Sequence, residues 1–301
     1  GNIRYLSTAG DITLGLLDAG TGNVRVEAQD GSIVDGRTAD TNVTAANLQL
    51  VTNQTLAVLA DIGASGADAL DLDVDTLAAS SAGDIYLSEA DGLNLTTVAD
   101  FDVTRVGIDS SATPTAVGGG ADVSDILAAN NVKIETVAGD LTVTDTVTAT
   151  AGDLLLDAAG NLVISNAVTA TAGNASLLAG GTISQTAAAA DVSVGGNLDV
   201  EAGGAITMNA DAASTATGNG NIRYLSTAGD ITLGLLDAGT GNVRVEAQSG
   251  NILDGRGATP ATNVISANLQ LVASGDVGES FGAAVPGPLE TDVDVVAVSA
   301  G

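Results

Sequence analysis

Residues 139–164 read GDLTVTDTVTATAGDLLLDAAGNLVI, and this stretch decides the fold. It contains, three times, a Gly followed by Asp or Asn and then by alternating apolar residues. An alternation with a period of two predicts a β-strand in which every second side chain faces the same side. Gly followed by Asp or Asn favours a tight turn, because these residues adopt backbone conformations that others resist. The stretch therefore predicts short strands joined by tight corners.

The same spacing recurs along the chain. Gly-led strands start 21 residues apart at positions 1 and 22, 10 and 31, 139 and 160, 152 and 173, 160 and 181, 220 and 241, and 229 and 250. A period of this length is typical of solenoids, whose repeats bury their apolar face against their neighbours. Tandem β-sandwich domains, the rival fold, repeat at much longer intervals. We predict an all-β fold, a right-handed parallel β-helix (β-solenoid) with about 21 residues per coil and about 14 coils.

The alternation also predicts the direction of each side chain. Val24 and the residue two positions on would face the lumen, whereas Arg25 and Glu27 would point outward. Asn2 and Asn23 lie one period apart at corners, so we expect them to stack and share side-chain amide hydrogen bonds.

A longer repeat encloses the short one. Residues 1–29 return unchanged from Gly220 onward, which defines a tandem unit of 219 residues. The chain thus holds one unit, residues 1–219, and a second partial copy, residues 220–301. We predict one continuous β-solenoid over residues 1–301.

Three stretches interrupt the short period, at residues 52–68, 105–128 and 256–288. The third contains Pro260 and Pro286, and Pro is poorly tolerated inside a strand. We predict loop excursions from the solenoid at all three. They are the first places to expect a partner-specific patch, although such loops can also just cover edges or join segments.

Composition narrows the function classes. The chain has 8 Lys and Arg against 37 Asp and Glu, with no Cys and no His. This acidic balance argues against nucleic acid as a partner, because phosphate binding needs clustered cations. No apolar run approaches the roughly 20 residues that span a bilayer, so we expect no direct membrane insertion. Without His or Cys, catalysis would depend on carboxylates and hydroxyls alone. We expect no enzyme, no catalytic residue and no required cofactor.

Acidic residues are the one candidate for a binding site. Asp71, Asp73 and Asp75 alternate along one strand face, and Asp292 and Asp294 repeat the last two at the long period. Such carboxylates could bind calcium, or could serve as catalytic groups if Asp71 and Asp75 lined a cleft beside an Arg. A solvated acidic face is the favoured interpretation, because charge runs usually serve solubility. Calcium stays a possible ligand without an assigned site.

Several coils resemble those of a known family. The phrases AGDITL at residues 9–14, AGDLLL at residues 151–156 and GNLVI at residues 160–164 are similar to the coils of filamentous-haemagglutinin-like giant repetitive bacterial surface adhesins. The resemblance implies a right-handed parallel β-helix that is exported across the outer membrane and displayed on the bacterial cell surface. It also implies a role in adhesion or cell contact, and it transfers no binding residue.

These observations favour a structural stalk or filament segment of an extracellular adhesin. Its partners would be neighbouring repeats of the same long chain or end-to-end copies in a fibre, together with a host, cell or matrix surface. The alternative is a calcium- or glycan-binding β-solenoid module. A β-helical polysaccharide lyase or hydrolase is a more remote alternative, because such enzymes normally offer aromatic platforms and this chain has only three Tyr and two Phe.

Overall fold

In a computed structural model, the chain folds into a parallel β-solenoid of about 12 turns with about 23 residues in each turn. The structure describes residues 1–38, 40–53, 59–116, 121–257, 261–278 and 287–301. The predicted fold class, an all-β parallel β-helix, is confirmed. The turns are fewer and longer than the Gly spacing predicts, because excursions and wide coils use residues that add no turn. The wide N-terminal coils are those with the long strands Val43–Thr52 and Leu70–Ser81.

The described strands mostly contain three to six residues, and a 3₁₀ turn spans Gly66–Asp68. The strands of the first half are β1 Ile3–Ser7, β2 Ile12–Leu14, β3 Leu17–Asp18, β4 Asn23–Ala28, β5 Ile33–Asp35, β6 Val43–Thr52, β7 Leu70–Ser81, β8 Ile85–Glu89, β9 Leu93–Leu95, β10 Asp102–Val106, β11 Ala112–Ala116, β12 Ile126–Ala128, β13 Val132–Thr136, β14 Leu141–Val143 and β15 Val147–Ala149. Those of the second half are β16 Leu154–Ala158, β17 Leu162–Ile164, β18 Val168–Ala170, β19 Ala175–Ala179, β20 Ile183–Gln185, β21 Val192–Val194, β22 Leu198–Ala202, β23 Ile206–Met208, β24 Ala213–Ala216, β25 Ile222–Ser226, β26 Ile231–Leu233, β27 Leu235–Asp237, β28 Asn242–Ala247, β29 Ile252–Asp254, β30 Val264–Ala273 and β31 Thr291–Ser299.

A regular coil contributes one strand to each of three faces. The coil of β13, β14 and β15 pairs in parallel and in register with β16, β17 and β18 of the next coil. In β13, Val132 and Ile134 are buried, whereas Lys133 and Glu135 face outward. The buried positions of successive coils join into one core cluster that extends from Ile12 to Ala273. Each fully buried Val, Leu or Ile contributes roughly 1.5–3 kcal/mol, and this is what holds the coils together.

The corners explain why Gly and then Asn or Asp recur. A Cβ atom on Gly173 would collide with the carbonyl oxygen of Gly152, one coil earlier, so this corner needs Gly. The next residue, Asn174, donates its amide to Asp153 Oδ1 at 3.0 Å. The predicted pair forms in the same way, since Asn23 Nδ2 lies 3.1 Å from Asn2 Oδ1. Gly permits the close approach of successive coils, and hydrogen bonds between stacked corner side chains link these coils along the axis.

The first and third predicted excursions contain solenoid backbone. Within 52–68, residues 54–58 lie outside the described part of the chain, but Ile62 is fully buried and forms parallel bridges to the coils on either side. Within 256–288, β30 is a ten-residue strand that pairs with β27 and β28. The prediction of a loop is therefore wrong over Val264–Ala273. Pro260 and Pro286 are not part of this strand, and both lie outside the described residues.

The central excursion is shifted from its predicted boundaries of 105–128. In the next coil, residues 144–146 join β14 to β15, and these strands lie directly on β9 and β12. Residues 96–116 and 121–125 occupy the corresponding corner, and we call them the cover segment. Within it, β10 and β11 form an antiparallel hairpin. β12 belongs to the solenoid, so the prediction is wrong at its C-terminal end.

Identical sequences from the two copies lie on different faces. β2 of the first copy begins a stack that continues through Ile33, Ile62, Ile85, Val132, Leu154, Ala175 and Leu198 to Ile222 of β25. The sequence of β25, however, repeats that of β1. The second copy is therefore displaced by one strand position around the axis.

Candidate functional site

The five aspartates singled out by the sequence all lie on the outside of the solenoid. Asp71, Asp73 and Asp75 alternate on β7 with buried apolar residues, and Asp292 and Asp294 are exposed on β31. The structure does not gather them into one site. Within the described residues, the group of three carboxylates close enough to share an ion consists of Asp73 with Glu89 and Asp91.

We call Asp73, Glu89 and Asp91 the acidic trio. One carboxylate oxygen from each residue lies within 4.8 Å of the other two. Asp73 comes from β7, Glu89 ends β8, and Asp91 lies in the bend that follows. Asp73 and Asp91 are exposed, whereas Glu89 is fully buried. The trio therefore joins two solvent-accessible carboxylates to one that water does not reach.

Glu89 occupies a position that faces the lumen. In the coils stacked above it, the same position holds Thr136, Ala158, Ala179, Ala202 and Ser226. Small residues thus fill this corner elsewhere, and here a carboxylate replaces them. Its Oε1 accepts hydrogen bonds from the backbone N–H groups of Val74 and Ala90, both at 3.1 Å. Its buried Oε2 has no hydrogen-bond partner within the part of the chain that the structure describes.

Burial has a large effect on this carboxyl group. Desolvation, which the N–H of Val74 opposes and the nearby charge of Asp91 reinforces, raises the pKa of Glu89 from 4.5 to about 8. Burial and the charge of Asp35 also raise the pKa of Asp71. A strongly perturbed carboxylate with a specific charged neighbour is a mark of functional sites, although structural networks produce it too.

The sequence pattern points to Asp73 as a candidate ligand but not to Glu89 or Asp91. A signal was present in residues 85–89, IYLSE, because the alternation places Glu89 on the lumen side with Ile85 and Leu87. A Glu at an inward-facing position breaks the pattern. The proximity of Asp73 could not be read from the sequence, since it depends on how the wide β7 coil is placed under β8.

A second feature is an outward face that the cover segment buries. Arg25, on β4, donates to Glu27 Oε2 at 3.0 Å and to Gln49 Oε1 at 2.9 Å. Gln49 Nε2 in turn donates to the carbonyl oxygen of Val98, in the cover segment, at 2.6 Å. The predicted outward direction of Arg25 and Glu27 is correct, but both are buried, at 6% and 7% exposure.

The matching face of the second copy is open. There, a groove of about 760 Å³ is lined by Arg223, Arg244, Gln270 and a row of corner asparagines. The described ion pairs of arginine are Arg25 with Glu27, Arg37 with Asp40, Arg223 with Asp199 and Glu201, and Arg244 with Glu246. Asp71 and Asp75 take part in none of these described pairs.

No protein-family model, curated protein sequence or solved structure matches this chain. The part of the chain that the structure describes contains no helix with the length and hydrophobicity needed to cross a membrane.

Proposed function

We propose that this chain is a stalk segment of a secreted or surface-anchored bacterial adhesin, and that its role is length, stiffness and display. The observation that carries the proposal is the continuous core cluster that runs from Ile12 to Ala273. Each coil buries its apolar residues against the coils on either side and pairs its backbone along the axis. Such a rod can be lengthened by repeating one unit, with no new folding problem at each step.

The surface chemistry supports this role. The net charge of −29 would keep parallel rods apart through repulsion, while the axial backbone pairing is unaffected by charge on the sides. The proposed partners are neighbouring repeats or further copies along the fibre axis, and a host, cell or matrix surface at the displayed end. The proposed location is the bacterial cell surface, in line with the resemblance to filamentous-haemagglutinin-like adhesins.

Electron cryo-microscopy of the native assembly tests the proposal. A stalk predicts long surface fibres in which a layer spacing of about 4.8 Å repeats along the fibre axis. Antibodies against the described solenoid should decorate these fibres along their length on intact cells. Cells that carry the protein only as a compact particle, or only inside the cell, would contradict the stalk role.

A calcium-binding module is the second candidate, and the acidic trio is the observation that favours it. The two roles are compatible, because an ion could stabilise a rod.

A further inference from the structure

We propose that Asp73, Glu89 and Asp91 form a binding site for one Ca²⁺ ion. This inference goes beyond the stalk role, and it does not depend on it. The site would attach β7 to the bend after β8, which lies in the following coil.

The unpartnered oxygen of Glu89 indicates a place for a cation. Its carboxyl group is fully buried, and among the described residues Oε2 has no hydrogen-bond donor although Oε1 has two. A buried carboxylate normally has a donor or a cation for each oxygen, because an unsatisfied one is costly. The positions that stack on it hold Thr, Ala or Ser, so the lumen does not require a long acidic side chain here. A bound cation would supply the missing partner.

The spacing of the three carboxylate oxygens also fits a calcium ion. Calcium–oxygen distances are about 2.3–2.6 Å, so two oxygens on opposite sides of one ion lie roughly 4.6–5.2 Å apart. The three carboxylate oxygens lie within 4.8 Å of one another, which fits around a single ion with little rearrangement. Asp73 and Asp91 are exposed, and the ion would therefore have a path from solvent and room for water ligands.

The donor set selects the kind of ion. Every side-chain donor is a carboxylate oxygen, and the whole chain has no His and no Cys. Oxygen-only sites suit hard cations such as Ca²⁺ and Mg²⁺, whereas nitrogen and sulfur donors suit Zn²⁺ and Cu²⁺. Mg²⁺ demands near-ideal octahedral geometry and gives up its water reluctantly, so a site with one buried and two exposed carboxylates favours Ca²⁺.

The location gives the ion a structural consequence. β7 pairs on one edge with β6 and on the other with β8, β9 and β12 in succession. The wide N-terminal coils change there into the regular coils of three short strands. An ion held by Asp73 on one side and by Glu89 and Asp91 on the other would fasten this junction.

Calorimetric titration of the full chain with CaCl₂, after treatment with a chelator, tests the site. We expect one ion per chain, with a dissociation constant on the order of 10⁻⁴ M, and weaker binding of MgCl₂. Glu89→Gln and Asp73→Asn should each weaken calcium binding at least about tenfold, since each removes a charged ligand.

The second copy offers a matched control. Asp292 is the counterpart of Asp73, on the strand that repeats β7, and no acidic trio forms around it among the described residues. Asp292→Asn should therefore leave the calcium affinity unchanged within about twofold. Circular dichroism and thermal melting of each variant would show that it is folded, and calcium should raise the melting temperature of the parent but not of Glu89→Gln.

Absence of calcium binding to the folded parent at millimolar concentration would overturn the site. Equal losses of calcium affinity in Asp73→Asn and Asp292→Asn would also overturn the site, because they would indicate diffuse attraction of calcium to an acidic surface. Neither outcome bears on the stalk proposal, which the fibre images test separately.

Discussion

Arg25 and Arg244 have the same neighbours in sequence and lie in different surroundings. The side chains of Arg25 and Glu27 are 7% and 10% exposed, whereas those of Arg244 and Glu246 are 41% and 21% exposed. The two pairs lie on the outward faces of β4 and β28, two strands with the same sequence, NVRVEA. The difference comes from the cover segment, which packs over the face of the first copy. Burial on the outside of this solenoid is thus decided by an insertion several coils away in sequence.

The largest effect expected from this comparison concerns the arginines. Arg25→Ala leaves Glu27 buried without its cation, and breaking a buried pair in this way costs about 3–5 kcal/mol. Arg244→Ala should cost less than about 1 kcal/mol of unfolding free energy, because water still reaches the partly exposed Glu246.

Hydrogen exchange can measure the two sites separately. Residues 47–53, NLQLVTN, and residues 268–274, NLQLVAS, differ in mass, so peptides from β6 and β30 can be distinguished. Such local readings suit a solenoid, in which coils open in part rather than all at once. Equal losses of protection for Arg25→Ala and Arg244→Ala would show that the cover segment has no energetic role.

Removing the cover segment should make the first copy behave like the second. We would replace residues 96–125 with Thr-Asp-Thr, the corner that residues 144–146 provide in the next coil. In this background Arg25→Ala should cost less than about 1 kcal/mol, so the coupling between the two changes should be at least about 2 kcal/mol. Additive losses would assign the cost of Arg25→Ala to the solenoid itself. Retained β-sheet circular dichroism would show that the coil has closed.

A smaller effect is expected for the two glutamines. Gln49 is fully buried and links Arg25 to the Val98 carbonyl oxygen, so Gln49→Ala should cost about 1–3 kcal/mol. Gln270, its exposed counterpart, lines the open groove, and Gln270→Ala should change stability by less than about 0.5 kcal/mol. Denaturant titration followed by hydrogen exchange of the two peptides provides the comparison. A greater loss for Gln270→Ala would reverse the assignment of the covered and open faces.

The smallest effect concerns titration of the open face. Hydrogen bonds from Arg244 and Gln248 lower the pKa of Glu246 below its ordinary value of 4.5. The ionised carboxylate of Glu246 therefore stabilises the fold above pH 4.5, and this contribution is lost as the pH falls through the lowered pKa. Carboxyl NMR should detect this low pKa, and Arg244→Ala should raise it toward 4.5. An unchanged pKa in Arg244→Ala would show that solvent fully screens the pair.

The sequence predicts the regular part of the molecule well, because local chemistry determines it. The Gly and Asn or Asp at each corner, together with the alternation of residues such as Leu141 and Val143, specify strands, corners and stacking. The same pattern recurs from β13 to β29, where the corners are short and the strands can be predicted from the sequence.

Prediction from sequence fails where distant parts of the chain meet. The proline-containing stretch hides β30, and the cover segment begins nine residues before the predicted 105. The acidic trio combines Asp73 with Glu89 and Asp91 through the placement of one wide coil beneath another. Insert lengths and coil widths set these contacts, and neither has a local sequence signal.

The displacement of the second copy by one strand position has a consequence for recognition. Equal side chains from the two copies, such as those of β1 and β25, point in different directions around the axis. A bivalent receptor with both sites fixed in one plane would engage one copy and miss the other, because avidity requires a geometry that both sites can reach. A flexible receptor, or several receptors around the rod, would reach both. The unit length thus sets the angular spacing of any epitope that the repeat carries.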